Sequence, residues 1–203
     1  MDKGSFADEI ASVFTTEGVR LNKLDPASEE AQQAHEMEHC FTTGAAFLRV
    51  AFPNERVKNL MNFVWDVVGG QRVPVVLGPR VQSISIAMIG TKDAATKEVT
   101  GTRAVIMLPQ DWLAKIKENP LLQLGAIVFV GSQSVDFVHG RVHGVKERAF
   151  AYEAEYLKTL QKMLPQWKPN DYQHSILKNY ADGLDTEVVK PLLYTMKPIE
   201  KLN

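Results

Sequence analysis

The sequence predicts an α+β fold: N-terminal helices, a small, mostly antiparallel sheet, then C-terminal helices. Three observations predict it. Apolar residues recur at helical spacing across 25–70, β-branched residues crowd 72–108, and helical spacing returns over 109–181. Helices and strands are therefore grouped along the chain instead of alternating, which separates α+β from a parallel α/β sheet.

Within 1–18, Ile10, Val13 and Phe14 suit a short helix. Asp25-Pro26-Ala27-Ser28-Glu29-Glu30 starts the first long helix with a capping Asp, a proline at the first position and acids in the first turn. The helix is expected to reach about Val50, its later half made apolar by Phe41, Ala45, Phe47 and Leu48, and Phe52-Pro53-Asn54 ends it. A second helix over 55–68 carries Val57, Leu60, Met61, Val64 and Trp65 on one face, and Gly69-Gly70 stops it. Strands are expected over 72–77, 81–89 and 100–108; the middle one alternates Ile84, Ile86 and Met88 with Ser83, Ser85 and Ala87. Pro109-Gln110-Asp111 opens a short helix with Trp112, Leu113 and Ile116, and Asn119-Pro120 restarts a helix through Val138. Gly140 and Gly144 break it, a strong helix follows over 146–164 until Pro165, and amphipathic stretches remain at 171–181 and 188–196. We read one α+β domain over 1–203: an arm (1–24), a helical part (25–70), sheet plus core helices (71–164) and a helical tail (165–203).

Composition excludes several function classes. A formal net charge of −1 provides no global field for nucleic acid or an anionic membrane, so neither is expected as a partner. The longest apolar run, 125–130, is too short to span a bilayer, and MDKGSFADEIASVF has no apolar core of a signal peptide. Cys40 is the only cysteine, so no intrachain disulfide forms, in keeping with a reducing, cytoplasmic setting. Cys40 follows His39, but helix neighbours diverge too far for the imidazole to activate the thiol. Gly69-Gly70-Gln71-Arg72 and Gly78-Pro79-Arg80 lack the spacing of a phosphate loop, and no G-x-S-x-G occurs.

Two segments carry metal-site chemistry or its remains. The first is 122–160. A β-rich stretch at 103–108 precedes Pro109-Gln110-Asp111-Trp112-Leu113; an apolar helix start over 121–129 leads into Phe129-Val130-Gly131-Ser132-Gln133-Ser134-Val135-Asp136-Phe137; and Glu147-Arg148-Ala149-Phe150-Ala151-Tyr152-Glu153-Ala154-Glu155 follows. In order and spacing this resembles a zincin-type metallopeptidase domain from which the HExxH ligands are gone: Val130, Gly131 and Ser134 stand where His, Glu and His belong. The resemblance implies a zincin-like fold, a degenerate site at Val130, Gly131, Ser134 and Glu147, and a substrate groove near 101–108 and 130–137. Glu147 would be the relic of the third ligand, with Glu153 and Glu155 next along the helix. Zinc needs two imidazoles one helical turn apart plus a third ligand, and the intervening Glu handles the proton of the metal-bound water. Valine, glycine and serine supply none of this. The plain alternative is a buried helix whose small residues form a packing seam.

The second is a literal HExxH, His35-Glu36-Met37-Glu38-His39, with both imidazoles at i and i+4 on an expected helix. Its lead-in is polar and no strand precedes it, which suits a solvated helix face; the alternative is a zinc site with Glu36 as base and Glu147 as distant third ligand. A further set, Asp136, His139, His143 and Glu147, would share one face of a continuous helix and could hold a metal. Gly140 and Gly144 argue instead for a turn there, at about 1 kcal/mol each within a helix.

Joined together, these readings give a non-catalytic, pseudo-enzyme protein on a metallopeptidase-like fold, acting in protein or peptide binding or scaffolding with no cofactor. The alternative is an active zinc-dependent metallohydrolase using His35, Glu36 and His39. A helical interaction module of a larger assembly is a third class, with oligomeric state left open.

Overall fold

The computed structural model describes residues 29–186 apart from 71, 79, 93–94 and 97. The fold is mixed α+β. Helices α1 (Glu29–Val50) and α2 (Glu55–Gly69) precede strands β1 (Val75–Leu77), β2 (Ser85–Lys92) and β3 (Val99–Leu108). Then come α3 (Trp112–Glu118), α4 (Pro120–Val138), α5 (Val145–Met163), α6 (Asp171–Tyr180) and a 3-10 turn at Gly183–Asp185. The expected segments at 1–18, 25–28 and 188–196 lie outside the described residues.

Local chemistry sets the helix ends. Asn54 caps α2 by accepting from Val57 N at 3.1 Å, while its Nδ2 donates to Thr159 Oγ1 at 2.9 Å and Glu155 Oε2 at 3.3 Å, so the cap also docks α2 on α5. Asn119 caps α4 through Leu122 N, with Pro120 in the first turn where its missing N–H costs nothing. Gly140 and Gly144, both at positive φ (69° and 65°), build the α4–α5 turn that the sequence places there. Asn170 and Gln173 form a reciprocal capping box at the start of α6.

The sheet order is β1-β3-β2. β2 and β3 pair antiparallel, from Ser85↔Met107 to Lys92↔Val99, while β1 joins the other side of β3 in parallel over Val75↔Ile106 to Leu77↔Leu108. The antiparallel expectation therefore holds for one of the two pairings. β1 and β2 are shorter at their N-terminal ends than the β-branched runs suggest. Pro74 precedes β1, and the chain turns at Gly78–Val81 (Val81 N to Gly78 O, 3.1 Å), which delays β2 to Ser85. β3, the middle strand, is buried at Ala104, Val105, Ile106 and Leu108, so it does not alternate strictly, and Ile86 of β2 packs partly against the core.

α4 is the central element and packs against α1, α2, α3, α5, β2 and β3. By length and composition it could cross a bilayer, which the short apolar run had not suggested, yet 67% of that window is buried within the protein. That is the burial of a core helix surrounded on most sides. Trp112, fully buried, anchors α3 beneath it and donates Nε1–H to Gln123 Oε1 at 2.9 Å; burying such a ring is worth roughly 2–3 kcal/mol.

Candidate functional site

The N-terminal half of α4 presents Leu122, Gln123, Ala126 and Phe129 to one side, the spacing of a single helix face. These residues form one wall of a cleft of about 520 Å³. Gln82, Ser83 and Ile84, the residues entering β2, form the opposite wall, and Lys115, Glu118 and Asn119 stand at the α3–α4 corner. Lys115 donates its ammonium to the Gln82 carbonyl and pairs with Asp111 at 2.9 Å, which ties α3 to the β2 wall.

Glu153 reaches this cleft from the middle of α5 although it is only 2% exposed. Two neighbours make room for it. Gly125 lacks a Cβ that would stand 3.2 Å from Tyr156 Cε1 and 3.6 Å from Glu153 Oε1, so α4 and α5 approach closely there. Tyr156 is held by its hydroxyl donating to Leu121 O at 2.7 Å. From α6, Tyr172 donates its hydroxyl to Glu153 Oε2 at 2.8 Å. Burial pushes the Glu153 carboxyl up to about 7, against the Tyr172 hydrogen bond that pulls it down. The Tyr172 phenol is itself pushed up by burial and by the carboxylate it faces. The cleft thus holds a carboxyl poised near neutrality beside two aromatic rings, Phe129 and Tyr172, and among the described residues its lining contains no imidazole or thiol.

The residues of the degenerate site lie elsewhere. Val130 and Ser134 are fully buried, and Ser134 Oγ donates to Gly131 O at 2.8 Å. A Cβ on Gly131 would meet Val64 Cγ2 at 2.8 Å and Met61 Cε at 3.3 Å, so this stretch of α4 forms a seam against α2. Glu147 is exposed in the first turn of α5. The observed cleft therefore sits about two helical turns N-terminal of 130–137 on α4. It adjoins β2, whereas 101–108 belongs to β3, the middle strand of the sheet.

The other metal sets are not assembled. His35 and His39 are exposed on α1 and Glu36 is half-buried. Asp136 is committed to Arg148 Nε at 2.8 Å and to Arg141 at 3.3 Å. Burial pushes its carboxyl up while the two guanidiniums pull it down. The His139 ring Nδ1 lies 2.8 Å from Val135 O, and His143 and Glu147 are exposed. Among the described residues no three His, Cys, Asp or Glu side chains are grouped to hold a metal ion. Cys40 is buried in the core, and burial pushes its thiol up to about 11, the state of an unreactive structural cysteine.

Sequence reasoning named Glu153 only as a secondary candidate and missed Gln123 and Tyr172. The available signal was Gln123 itself, a lone amide in the apolar stretch 121–130. No protein-family model, no curated protein and no solved structure matches this chain.

Proposed function

We propose that the chain is a non-catalytic binding protein that takes an extended segment of a partner protein along the outer edge of β2. The observation that carries this reading is the edge itself. β2 pairs with β3 on one side and has no strand on its other side among the described residues. It also exposes Met88 at 47% and Ile89 at 46%. An open, apolar strand edge offers a row of unpaired N–H and C=O groups, and strand addition satisfies them. The cleft opens at the N-terminal end of the same strand, so a segment laid along β2 would pass it. An antiparallel edge beside a buried helix, followed by an acid-bearing helix, is also the arrangement that the metallopeptidase resemblance implies, here used for binding without a cofactor.

The test is hydrogen exchange on the full chain with peptides selected from a random extended library. Bound peptide is expected to slow exchange at β2 amides that do not bond β3. Met88→Lys with Ile89→Lys should abolish binding while leaving the fold intact, because charges on an edge oppose pairing. Protection confined to α1 and α2 would remove the basis of the reading.

A further inference from the structure

We propose that the cleft at the start of β2 is a specificity pocket for a basic side chain, arginine or lysine, of the bound segment, with Glu153 as its anchor. This rests on the strand-addition reading for the source of the side chain, but the pocket stands on its own geometry.

The carboxylate is the first observation. Glu153 is 2% exposed, its Oε2 accepts from Tyr172, and Oε1 accepts no hydrogen bond from a described residue. A carboxylate almost withdrawn from water, with one oxygen lacking a protein donor among the described residues, is suited to a cation with N–H donors, which supplies both charge balance and hydrogen bonding. Among the described residues no basic side chain fills that role. Arg148 on α5 is held by Asp136, and Lys158 by Glu155 and the Ala181 carbonyl. Lys115, across the mouth, is engaged by Asp111 and the Gln82 carbonyl.

Charge and shape agree. Glu118 at the mouth adds a second negative group, so the entrance favours an incoming cation. Phe129 and Tyr172 place aromatic rings in the lining, and such faces attract guanidinium and ammonium groups, more so when water is displaced. About 520 Å³ is ample for a long side chain and falls within the range of ligand pockets. The other polar side chain at this level, Gln123, already accepts from Trp112 Nε1–H at 2.9 Å, so the charged acceptor Glu153 is the stronger partner for an incoming cation.

The experiment is a titration of the full chain, followed by ¹H–¹⁵N NMR, with n-butylguanidinium, n-butylammonium and the neutral, shape-matched N-butylurea. Butylguanidinium or butylammonium is expected to shift the amides of Ile84, Gln123, Phe129 and Tyr172, with N-butylurea weaker by about tenfold or more. Glu153→Gln should erase the difference between charged and neutral probes. Tyr172→Phe keeps the ring but removes the hydroxyl that favours the ionised carboxyl, so it should weaken the preference for the cation at neutral pH and leave it intact above the raised Glu153 midpoint. Equal binding of N-butylurea, or a preference unchanged in Glu153→Gln, overturns the pocket. The two proposals fail separately. Cation binding at the cleft without peptide protection of β2 would overturn strand addition alone. Peptide protection of β2 with no cation preference would overturn the basic-residue pocket alone.

Discussion

The Tyr172 hydroxyl donates to Glu153 Oε2 at 2.8 Å and is the only hydrogen bond that the described residues offer this buried carboxyl. The pair joins α6 to α5 at the base of the cleft, with Glu153 2% and Tyr172 47% exposed. A neutral residue at 153 would suit the apolar surroundings better. A carboxyl held there works against stability, and sites that give up stability in this way are where function is to be sought.

Glu153 makes stability depend on pH. Its carboxyl moves from about 4.5 unfolded to about 7 folded, because burial favours the protonated form. The folded state therefore binds the proton more tightly, and the stability this contributes is complete below about pH 4.5 and is lost as pH rises to about 7. The shift corresponds to up to about 3 kcal/mol. Glu153→Gln, neutral at every pH, is expected to match the parent at pH 4 and to exceed it by up to about 3 kcal/mol at pH 8. Urea unfolding at the two pH values checks this; an equal difference at both would show that the carboxyl is not raised.

Tyr172→Phe isolates the hydrogen bond. The hydroxyl favours the ionised carboxyl, so its removal should move the Glu153 midpoint further above 7. The side chain lies at the surface, so the fold should be retained within about 1 kcal/mol. Carboxyl ¹³C NMR across pH 5 to 9 reads the midpoint directly. A downward movement would mean that water or another donor replaces the hydroxyl more strongly.

Most of the fold was legible in the sequence because its signals are local. Asn119-Pro120 opens α4, the glycines 140 and 144 close it, and Asn54 starts α2 where proline and asparagine stop the preceding helix. The parallel pairing of β1 was not legible. It depends on β3 inserting between β1 and β2, a choice made by tertiary packing and not by the period of either strand. The site was half legible for a related reason. An apolar helix buried on most sides carries little periodicity, so the sequence could not say which face of α4 meets the cleft and which meets α2. Glu153 stood among the acids of α5, but its burial and its tie to Tyr172 arise from contacts between helices.

Gly131 tests the register of the metallopeptidase resemblance. With a Cβ meeting Val64 Cγ2 at 2.8 Å, Gly131→Ala should lose about 1–3 kcal/mol to overpacking, partly offset by about 1 kcal/mol of helix propensity. Gly131→Glu adds an unpaired charge in the core and should cost more than about 4 kcal/mol. Val130→His, Gly131→Glu and Ser134→His together rebuild an HExxH, yet in this packing the three side chains enter the core instead of the cleft. Little folded protein is expected, with no stoichiometric zinc by elemental analysis. A folded triple variant holding one zinc per chain would place an open site at this stretch of α4.

Asp136 and Arg148 form the other buried charge relationship, and it has a different character. Both side chains are 2% exposed, Arg148 Nε donates to Asp136 Oδ2 at 2.8 Å, and the Arg148 guanidinium also donates to His143 O at 2.8 Å. The pair thereby fixes the turn between α4 and α5, next to Gly144, where a Cβ would stand 3.1 Å from Arg148 Nη1. Asp136→Asn leaves the guanidinium buried without its counter-charge and should cost about 3–5 kcal/mol. Replacing both, Asp136→Asn with Arg148→Met, removes the stranded charge, so the double variant should be more stable than Asp136→Asn alone. Denaturant midpoints for the two single variants and the double variant close the cycle. Additive losses would show that the two residues act independently, contrary to the bond between them.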